Sequence, residues 1–160
     1  LGGGNGIVAG KPERSVILVP NAYVRPEAKR VDRTVLTPGG KDPNRGMDHS
    51  YPLSQNPAGF NDGEDLWRKL VSRHANFVLV VCGHLCTTAH LSSKGRHGNT
   101  VHQVLVDYQC VDNGYMRLLQ FAPDGRTVRV RDYSPLLDET STDPQCAFEF
   151  VLDPPPTMAR

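Results

Sequence analysis

The chain has 160 residues, of which 38% are hydrophobic and 22% charged, and its formal net charge is +1. This length is enough for one domain with a hydrophobic core. The balance of 18 basic against 17 acidic residues gives no electrostatic reason to expect nucleic acid or an anionic membrane as a partner. The longest apolar run, residues 77–82, is too short to span a bilayer.

The first 13 residues begin with LGGGNG, a glycine-rich sequence that follows no strand, and we expect a flexible lead-in there. The lead-in has no basic segment followed by an apolar run, so the sequence predicts no signal peptide. Two alternatives stay open: a leader has been removed from this chain, or the chain is cut from a longer one. The compartment is therefore unknown, with a soluble cytoplasmic protein and an exported one both allowed.

A single domain is predicted over residues 14–152, and its first half reads strand, long loop, helix, strand. Residues 15–20 form a short buried strand that a proline ends. Residues 25–62 are rich in Pro, Gly, Asp and Asn and are predicted to be a long loop. Residues 62–74 have acidic side chains first and basic ones last, as an α-helix favours. Residues 77–82 form a second buried strand.

The second half of the domain is predicted to be an antiparallel β meander. Extended segments are expected at residues 101–108, 115–121, 127–133 and 147–152, and turn sequences with Asn-Gly and Asp-Gly separate the middle ones. Val128 and Val130 alternate with arginines, so that strand should have one solvated face. A proline-rich tail, residues 153–160, ends the chain. The fold class is therefore α+β, with the helix packed on a sheet.

The four cysteines are Cys82, Cys86, Cys110 and Cys146. Their even number permits two disulfides, but four cysteines over this length are no disulfide scaffold. There is no Cys-x-x-Cys pair of the kind that binds structural zinc. We expect mostly free, buried thiols.

A candidate metal site follows the second buried strand, in the sequence VCGHLC at residues 81–86. His84 and Cys86 are two apart, so on an extended backbone their side chains point the same way and form a usable ligand pair. His90 and His102 are further candidate ligands. The alternative is that His84 is hydrogen-bonded in a loop and Cys86 is simply packed. A thiolate nucleophile, Cys86 with His84 or His90, is a third possibility that lacks an orienting group.

Residues 89–99 are predicted to be a Gly/Ser/Lys/Arg loop beside this site. Arg96 and His97 there are candidates for binding the anionic part of a substrate. The alternative is an exposed loop whose histidines are merely solvated.

Several short motifs occur together in one order along the chain. They are VILVPNAY at 16–23, NDGEDLW at 61–67, NFVLVVCGH at 76–84, GNTVHQ at 98–103, DYQ at 107–109, GYMRLL at 114–119 and YSPLLD at 133–138. In this order they resemble the C-terminal half of calcineurin-like metallophosphoesterases, over roughly residues 14–152.

The resemblance implies half of a β-sandwich flanked by helices, with metal ligands at the strand ends. The family takes ligands from an Asp-x-His, a Gly-Asp, a Gly-Asn-His, a lone His and a Gly-His-x-His motif. The first three motifs belong to the N-terminal half, which this chain lacks. Asn21 stands at the lone His position, and Cys86 stands where the last motif has its second His. Only His84 matches by identity, so His84 and Asn21 are the implied catalytic residues.

Three functions follow from this resemblance. The first is a metal-dependent hydrolase of phosphate or other small-molecule esters, with a reduced site holding a divalent ion such as zinc, manganese, iron or copper. The second is an oxidoreductase whose metal is bound by His and Cys, and the third is a non-catalytic fragment or metal-binding scaffold. A half-sheet leaves strand edges uncovered, so we also expect a homodimer or higher homo-oligomer.

Overall fold

The computed structural model describes residues 1–32, 34 and 59–156, and within them the chain is a mixed α+β protein with two β-sheets. The elements, in chain order, are α1 (Gly2–Ala9), β1 (Val16–Leu18), α2 (Gly63–Lys69), β2 (Phe77–Cys82), β3 (Thr88–Lys94), β4 (Thr100–Val106), β5 (Met116–Phe121), β6 (Thr127–Ser134), β7 (Glu139–Thr140) and β8 (Ala147–Val151).

The first sheet has the strand order β1-β2-β4-β3. β1 and β4 both run parallel to β2, and β3 is antiparallel to β4. β2 is buried along nearly its whole length, which explains its unbroken hydrophobic sequence, FVLVVC. A strand covered on both faces has no solvated side on which polar residues would be favoured. The predicted bounds of β2, residues 77–82, are confirmed.

Two hydrophobic cores lie on opposite faces of the first sheet. On the helix side, Phe77 and Val80 pack with Trp67, Leu70 and Val71 from the α2 region. On the other side, the cluster is formed by Val78, Leu79, Val104, Val128, Val130, Phe150 and Leu152. The molecule is therefore layered as helix, sheet and sheet.

The second sheet is antiparallel, with β6 in its centre. β5 pairs with one edge of β6, and β7 and β8 pair with different parts of its other edge. Val128 and Val130 point into the core, whereas Arg129 and Arg131 are exposed, so the predicted solvated face of this strand is confirmed.

A buried ion pair joins the second sheet to the end of β4. Arg117 on β5 donates from Nε to Asp132 Oδ1 at 2.6 Å and from Nη2 to Asp132 Oδ2 at 2.5 Å. Its Nη1 donates to the carbonyl of Leu105 on β4 at 3.3 Å, and the Tyr108 hydroxyl donates to Asp132. Bidentate geometry and full use of the polar atoms are what a buried pair needs to offset its desolvation.

The predicted meander is wrong for its first part. The segment expected as a loop, residues 89–99, contains most of β3, and β4 joins β2 in the first sheet instead of continuing an antiparallel series. The physical reason is the burial of β4, since five of its seven residues are buried and a strand of that kind is stable only between neighbours on both sides.

The predicted helix begins where expected but ends early. Asp62 caps α2 by accepting a hydrogen bond from Asp65 N at 2.8 Å. Leu70 then leaves helical geometry, with φ −136° and ψ −70°, and a 3₁₀ turn follows at Val71–Arg73. Among the described residues, no helix has the length and apolar character needed to cross a bilayer.

Residues 1–13, expected as a flexible lead-in, instead include α1. Val8 is buried in the helix-side core, and Asn5 Nδ2 donates to the Lys69 carbonyl at 3.2 Å. These contacts order a glycine-rich sequence that has little helical propensity of its own. Arg30, in the expected loop 25–62, forms an isolated β-bridge with Val24. Residues 33 and 35–58 of that loop lie outside the described residues.

Candidate functional site

The carboxyl ends of β1 and β2 bring together two of the residues predicted for the site. The backbone N–H of Gly83 donates to the carbonyl of Asn21 at 2.9 Å, so Asn21 and His84 follow neighbouring parallel strands at one edge of the sheet. Ligands of open α/β sheets bind at this edge, because the loops there diverge and leave a crevice. The expected proximity of Asn21 and His84 is thus present in the backbone.

His84 has a left-handed backbone conformation, with φ +71°. This region disfavours residues with a Cβ and is occupied mainly where the surroundings enforce it. Such residues cluster at functional sites, where the strain positions a side chain. The side chain of His84 is half-buried, at the start of the loop that leaves β2.

Cys86 forms a disulfide with Cys110, with their Cα atoms 5.7 Å apart. The loops after β2 and β4 meet because these strands are parallel neighbours, and Gln109 adds a hydrogen bond from Nε2 to the His84 carbonyl at 3.5 Å. The prediction of Cys86 as a metal-binding thiolate is therefore wrong for this oxidised form, since its sulfur is bonded to another sulfur. Cys82 and Cys146 are buried free thiols, as expected, and burial raises the pKa of Cys82 to about 11.

His90 and His102, predicted to join His84 and Cys86 as ligands, lie elsewhere. His102 pairs with Leu79 of β2, about 10 Å along the strand before its carboxyl end. Both rings face the second sheet, where His90 lies on Phe148 and His102 on Phe150. His90 and His102 therefore form a group of their own, because both rings face the second sheet.

The edge at Asn21 and His84 does not by itself fit a two-metal centre. It offers one imidazole and one amide, whereas bridging carboxylates are what a pair of divalent ions requires. Over residues 1–32, 34 and 59–156, no group of three or more His, Cys, Asp or Glu side chains is placed to hold a metal.

Arg96 and His97, predicted to bind substrate, lie at the opposite end of the first sheet. The backbone N–H of Arg96 donates to the Ser72 carbonyl at 2.8 Å, and His97 Nε2 donates to the Arg73 carbonyl at 3.0 Å. They occupy the β3–β4 turn beside the amino end of β2, roughly 20 Å from its carboxyl end. Their contacts hold the turn against the end of the helix region, and the predicted substrate-binding role stays a prediction.

Two residues of interest were missed from the sequence. Ser92 Oγ lies 3.0 Å from His102 Nδ1 and 3.5 Å from His90 Nε2, and Cys110 is the disulfide partner of Cys86. The even cysteine count permitted the disulfide. The pattern His90-x-Ser92 with His102 would have indicated a cluster only if residues 88–94 had been assigned to a strand, on which residues two apart share a face.

The fold and the site thus define a mixed α+β protein with an Asn/His edge and a separate His/His/Ser group. Comparison with known sequences finds similarity to "Uncharacterized protein YvnB" of Bacillus subtilis (strain 168), with 33% identity over 86 residues. The match covers 48% of this chain and spans 7% of the length of that protein. No family model matches the chain, and no solved structure matches it.

Proposed function

We propose that the chain is the C-terminal part of a metal-dependent hydrolase domain similar to calcineurin-like phosphoesterases, acting on phosphate or other small-molecule esters. The observation that carries the proposal is the adjacency of Asn21 and His84 at the carboxyl edge of parallel strands, linked by the 2.9 Å bond from Gly83 N to the Asn21 carbonyl. These are the positions at which the family has its lone His and its Gly-His-x-His motif.

The layering supports the same proposal. A helix layer, a partly parallel sheet and an antiparallel sheet, with hydrophobic clusters on both faces of the first sheet, are what one half of such a sandwich would contain. The strained conformation of His84 adds to this, because strain of this kind is expected where a side chain is held for function.

In this proposal His84 and Asn21 contribute to the rim of a site, and the remaining ligands come from another copy of the chain in a homo-oligomer. The divalent ion of such a site would polarise the phosphoryl group of the ester. With Cys86 in a disulfide, the edge offers the imidazole of His84 and the amide of Asn21. Reduction would return a thiol at Cys86.

The test is hydrolysis of bis(p-nitrophenyl) phosphate by the purified protein, assayed with a chelator and then with manganese or zinc, in reduced and oxidised samples. We expect metal-dependent turnover that His84→Ala removes. His97→Ala is the matched control, because His97 is exposed and lies at the other end of the sheet. Turnover that survives His84→Ala, or no turnover with either metal, would overturn the assignment.

The disulfide supports a second candidate, a non-catalytic module. The disulfide links the loops after β2 and β4 covalently. The two loops are therefore held together without a metal ion bound at Cys86. This candidate predicts no hydrolysis in either redox state.

The oxidoreductase alternative depended on Cys86 as a thiolate ligand, and it predicts activity with redox substrates only in the reduced protein.

A further inference from the structure

Three polar atoms from β3 and β4 converge at the side of the first sheet that faces the second sheet. His90 Nε2 lies 3.3 Å from His102 Nδ1, and Ser92 Oγ lies 3.0 Å from His102 Nδ1 and 3.5 Å from His90 Nε2. They form a nearly equilateral triangle. The register explains the triangle, because Ser92 is directly opposite His102 and His90 is two residues from Ser92 on the same face.

The dimensions of this triangle are those of one face of a tetrahedral metal centre. Ligand atoms about 2.0–2.1 Å from a zinc ion, at tetrahedral angles, are about 3.3 Å from each other. The three measured separations bracket this value. An ion slightly above the plane of the triangle would contact all three atoms after only small side-chain rotations.

The tautomer of His102 suits a ligand. Its Nε2 lies 3.2 Å from the carbonyl oxygen of Val151, and since a carbonyl only accepts, Nε2 must carry the hydrogen. Nδ1 therefore has a lone pair directed toward His90 and Ser92. Metal-binding histidines commonly donate their second ring N–H to a backbone carbonyl in this way, which fixes the ring.

The aromatic surroundings hold both imidazole rings in place. Phe148 lies 4.8 Å from the His90 ring and Phe150 lies 4.2 Å from the His102 ring, centroid to centroid. The aromatic rings limit rotation of both imidazoles.

The site borders a cleft on its His90 side and has charged groups of both signs around it. The cleft, of about 400 Å³, is lined by His90, Phe148 and Glu149, at the edge strand of the sheet. Two cations disfavour positive charge at the site, Arg117 at His90 and Lys94 at His102. Arg117 is paired with Asp132, and Lys94 donates to Thr100 Oγ1 at 2.7 Å. The carboxylate of Asp153 favours positive charge at His102.

We propose that His90, His102 and Ser92 form a binding site for a single zinc-type transition-metal ion, with the fourth ligand position open to water from the cleft. Two imidazoles and a hydroxyl select borderline ions such as zinc, cobalt and copper over magnesium or calcium. The site is independent of the hydrolase proposed above, because it uses none of the residues at the Asn21 and His84 edge.

The test is titration of the chelator-treated protein with zinc alone and with cobalt alone. We expect one equivalent of zinc to bind and to raise the melting temperature, and cobalt to give the visible spectrum of a four-coordinate ion. His90→Gln should weaken zinc binding at least about tenfold, because even loss of a supporting partner costs that much. Ser92→Ala should weaken it less.

His97→Gln is the control, and it should bind zinc as the unaltered protein does. Absence of zinc binding to the folded protein, or binding that persists unchanged in His90→Gln, would overturn the proposal. So would loss of binding in His84→Ala alone, which assigns the ion to the other edge. If His90→Gln fails to fold, zinc-induced NMR shifts of the His90 and His102 ring protons decide, since unmoved rings would exclude them as ligands.

Discussion

His84 combines an energetically unfavourable backbone with a place at the carboxyl edge of the first sheet. Its φ of +71° is tolerated by glycine far better than by a residue with a Cβ. Ala28 and Asp138 also have positive φ, so the conformation alone assigns no role to the histidine side chain.

Replacing His84 by Gly measures the cost of this conformation. We expect His84→Gly to be as stable as the unaltered protein or more stable by up to about 1 kcal/mol, because relief of backbone strain offsets the added freedom of the unfolded chain. His84→Ala, which keeps the strain, is the matched variant. Urea unfolding measures both, and a clear loss of stability in the glycine variant would show that His84 is retained for packing.

His90 makes stability depend on pH in a defined range. Burial, with smaller effects of His102 and Arg117, lowers its pKa to about 4. In the unfolded chain the same ring titrates at about 6.5, so between these values the unfolded state binds more protons than the folded one. The metal-free protein should therefore lose stability as pH falls from about 6.5 toward 4.

Thermal melting in the presence of a chelator checks this dependence. His90→Gln, which cannot be protonated, should flatten the fall in melting temperature over the same range. His97→Gln is the control and should leave the slope close to that of the unaltered protein. An equal slope in His90→Gln would assign the effect to another group.

At the level of elements, burial decided which predictions succeeded. Phe77 to Cys82 and the alternation around Val128 and Val130 have patterns that only a strand explains, and both are confirmed. β3, in contrast, has the sequence TAHLSSK, whose small polar residues resemble a loop. It is a strand because β4 requires a partner, and that requirement arises from tertiary pairing and not from its own residues.

The residues predicted for the candidate site also fall into those that the structure brings together and those that it places elsewhere. Asn21 and His84 were placed in one site only by the family resemblance, and in the structure they lie at one edge because they follow neighbouring parallel strands. The sequence could not separate His90 and His102 from that edge, since their location depends on the unrecognised β3–β4 pairing. Nor could it place Arg96 and His97, whose backbone and side-chain partners are carbonyls at the end of the helix region.

The Arg117–Asp132 pair gives a prediction about how the two sheets are held together. Arg117→Met should lower the free energy of unfolding by about 3–5 kcal/mol, because it leaves Asp132 buried and unpaired by its cation. Both side chains are at most 2% exposed. Arg129→Met, which breaks an exposed pair with Glu149, should cost less than about 1 kcal/mol.

Urea unfolding of the two variants side by side gives the comparison. Each substitution removes one arginine from the same antiparallel sheet, so the change in net charge is the same. Similar losses in both variants would mean that the buried pair does not join the sheets as described.

For the whole molecule, the edge formed by β1 is the feature with the clearest consequence. Among the described residues, β1 has β2 on one side, ends the strand order of its sheet, and carries Ile17 at 44% and the following Val19 at 75% exposure. An exposed apolar strand edge favours pairing with another chain. We therefore predict that the isolated chain self-associates through β1.

Light scattering measures this directly. We expect the mass of two or more chains at micromolar concentration, and a shift toward a single chain for Val19→Lys, because a lysine on an edge strand opposes pairing. Met116→Lys, on an exposed position of the other sheet, is the control and should not change the mass. A stable single-chain mass for the unaltered protein would contradict the prediction.

The Cys86–Cys110 disulfide closes a covalent ring around the whole β3–β4 hairpin, with a sequence separation of 24 residues. His90, Ser92 and His102 all lie inside this ring. A protease that cuts the hairpin turn would therefore leave both pieces attached through sulfur, and the three side chains would stay on the same molecule. Release of either piece would require both cleavage of the backbone and reduction of the disulfide. Damage to the turn and loss of the hairpin are therefore two separate chemical events.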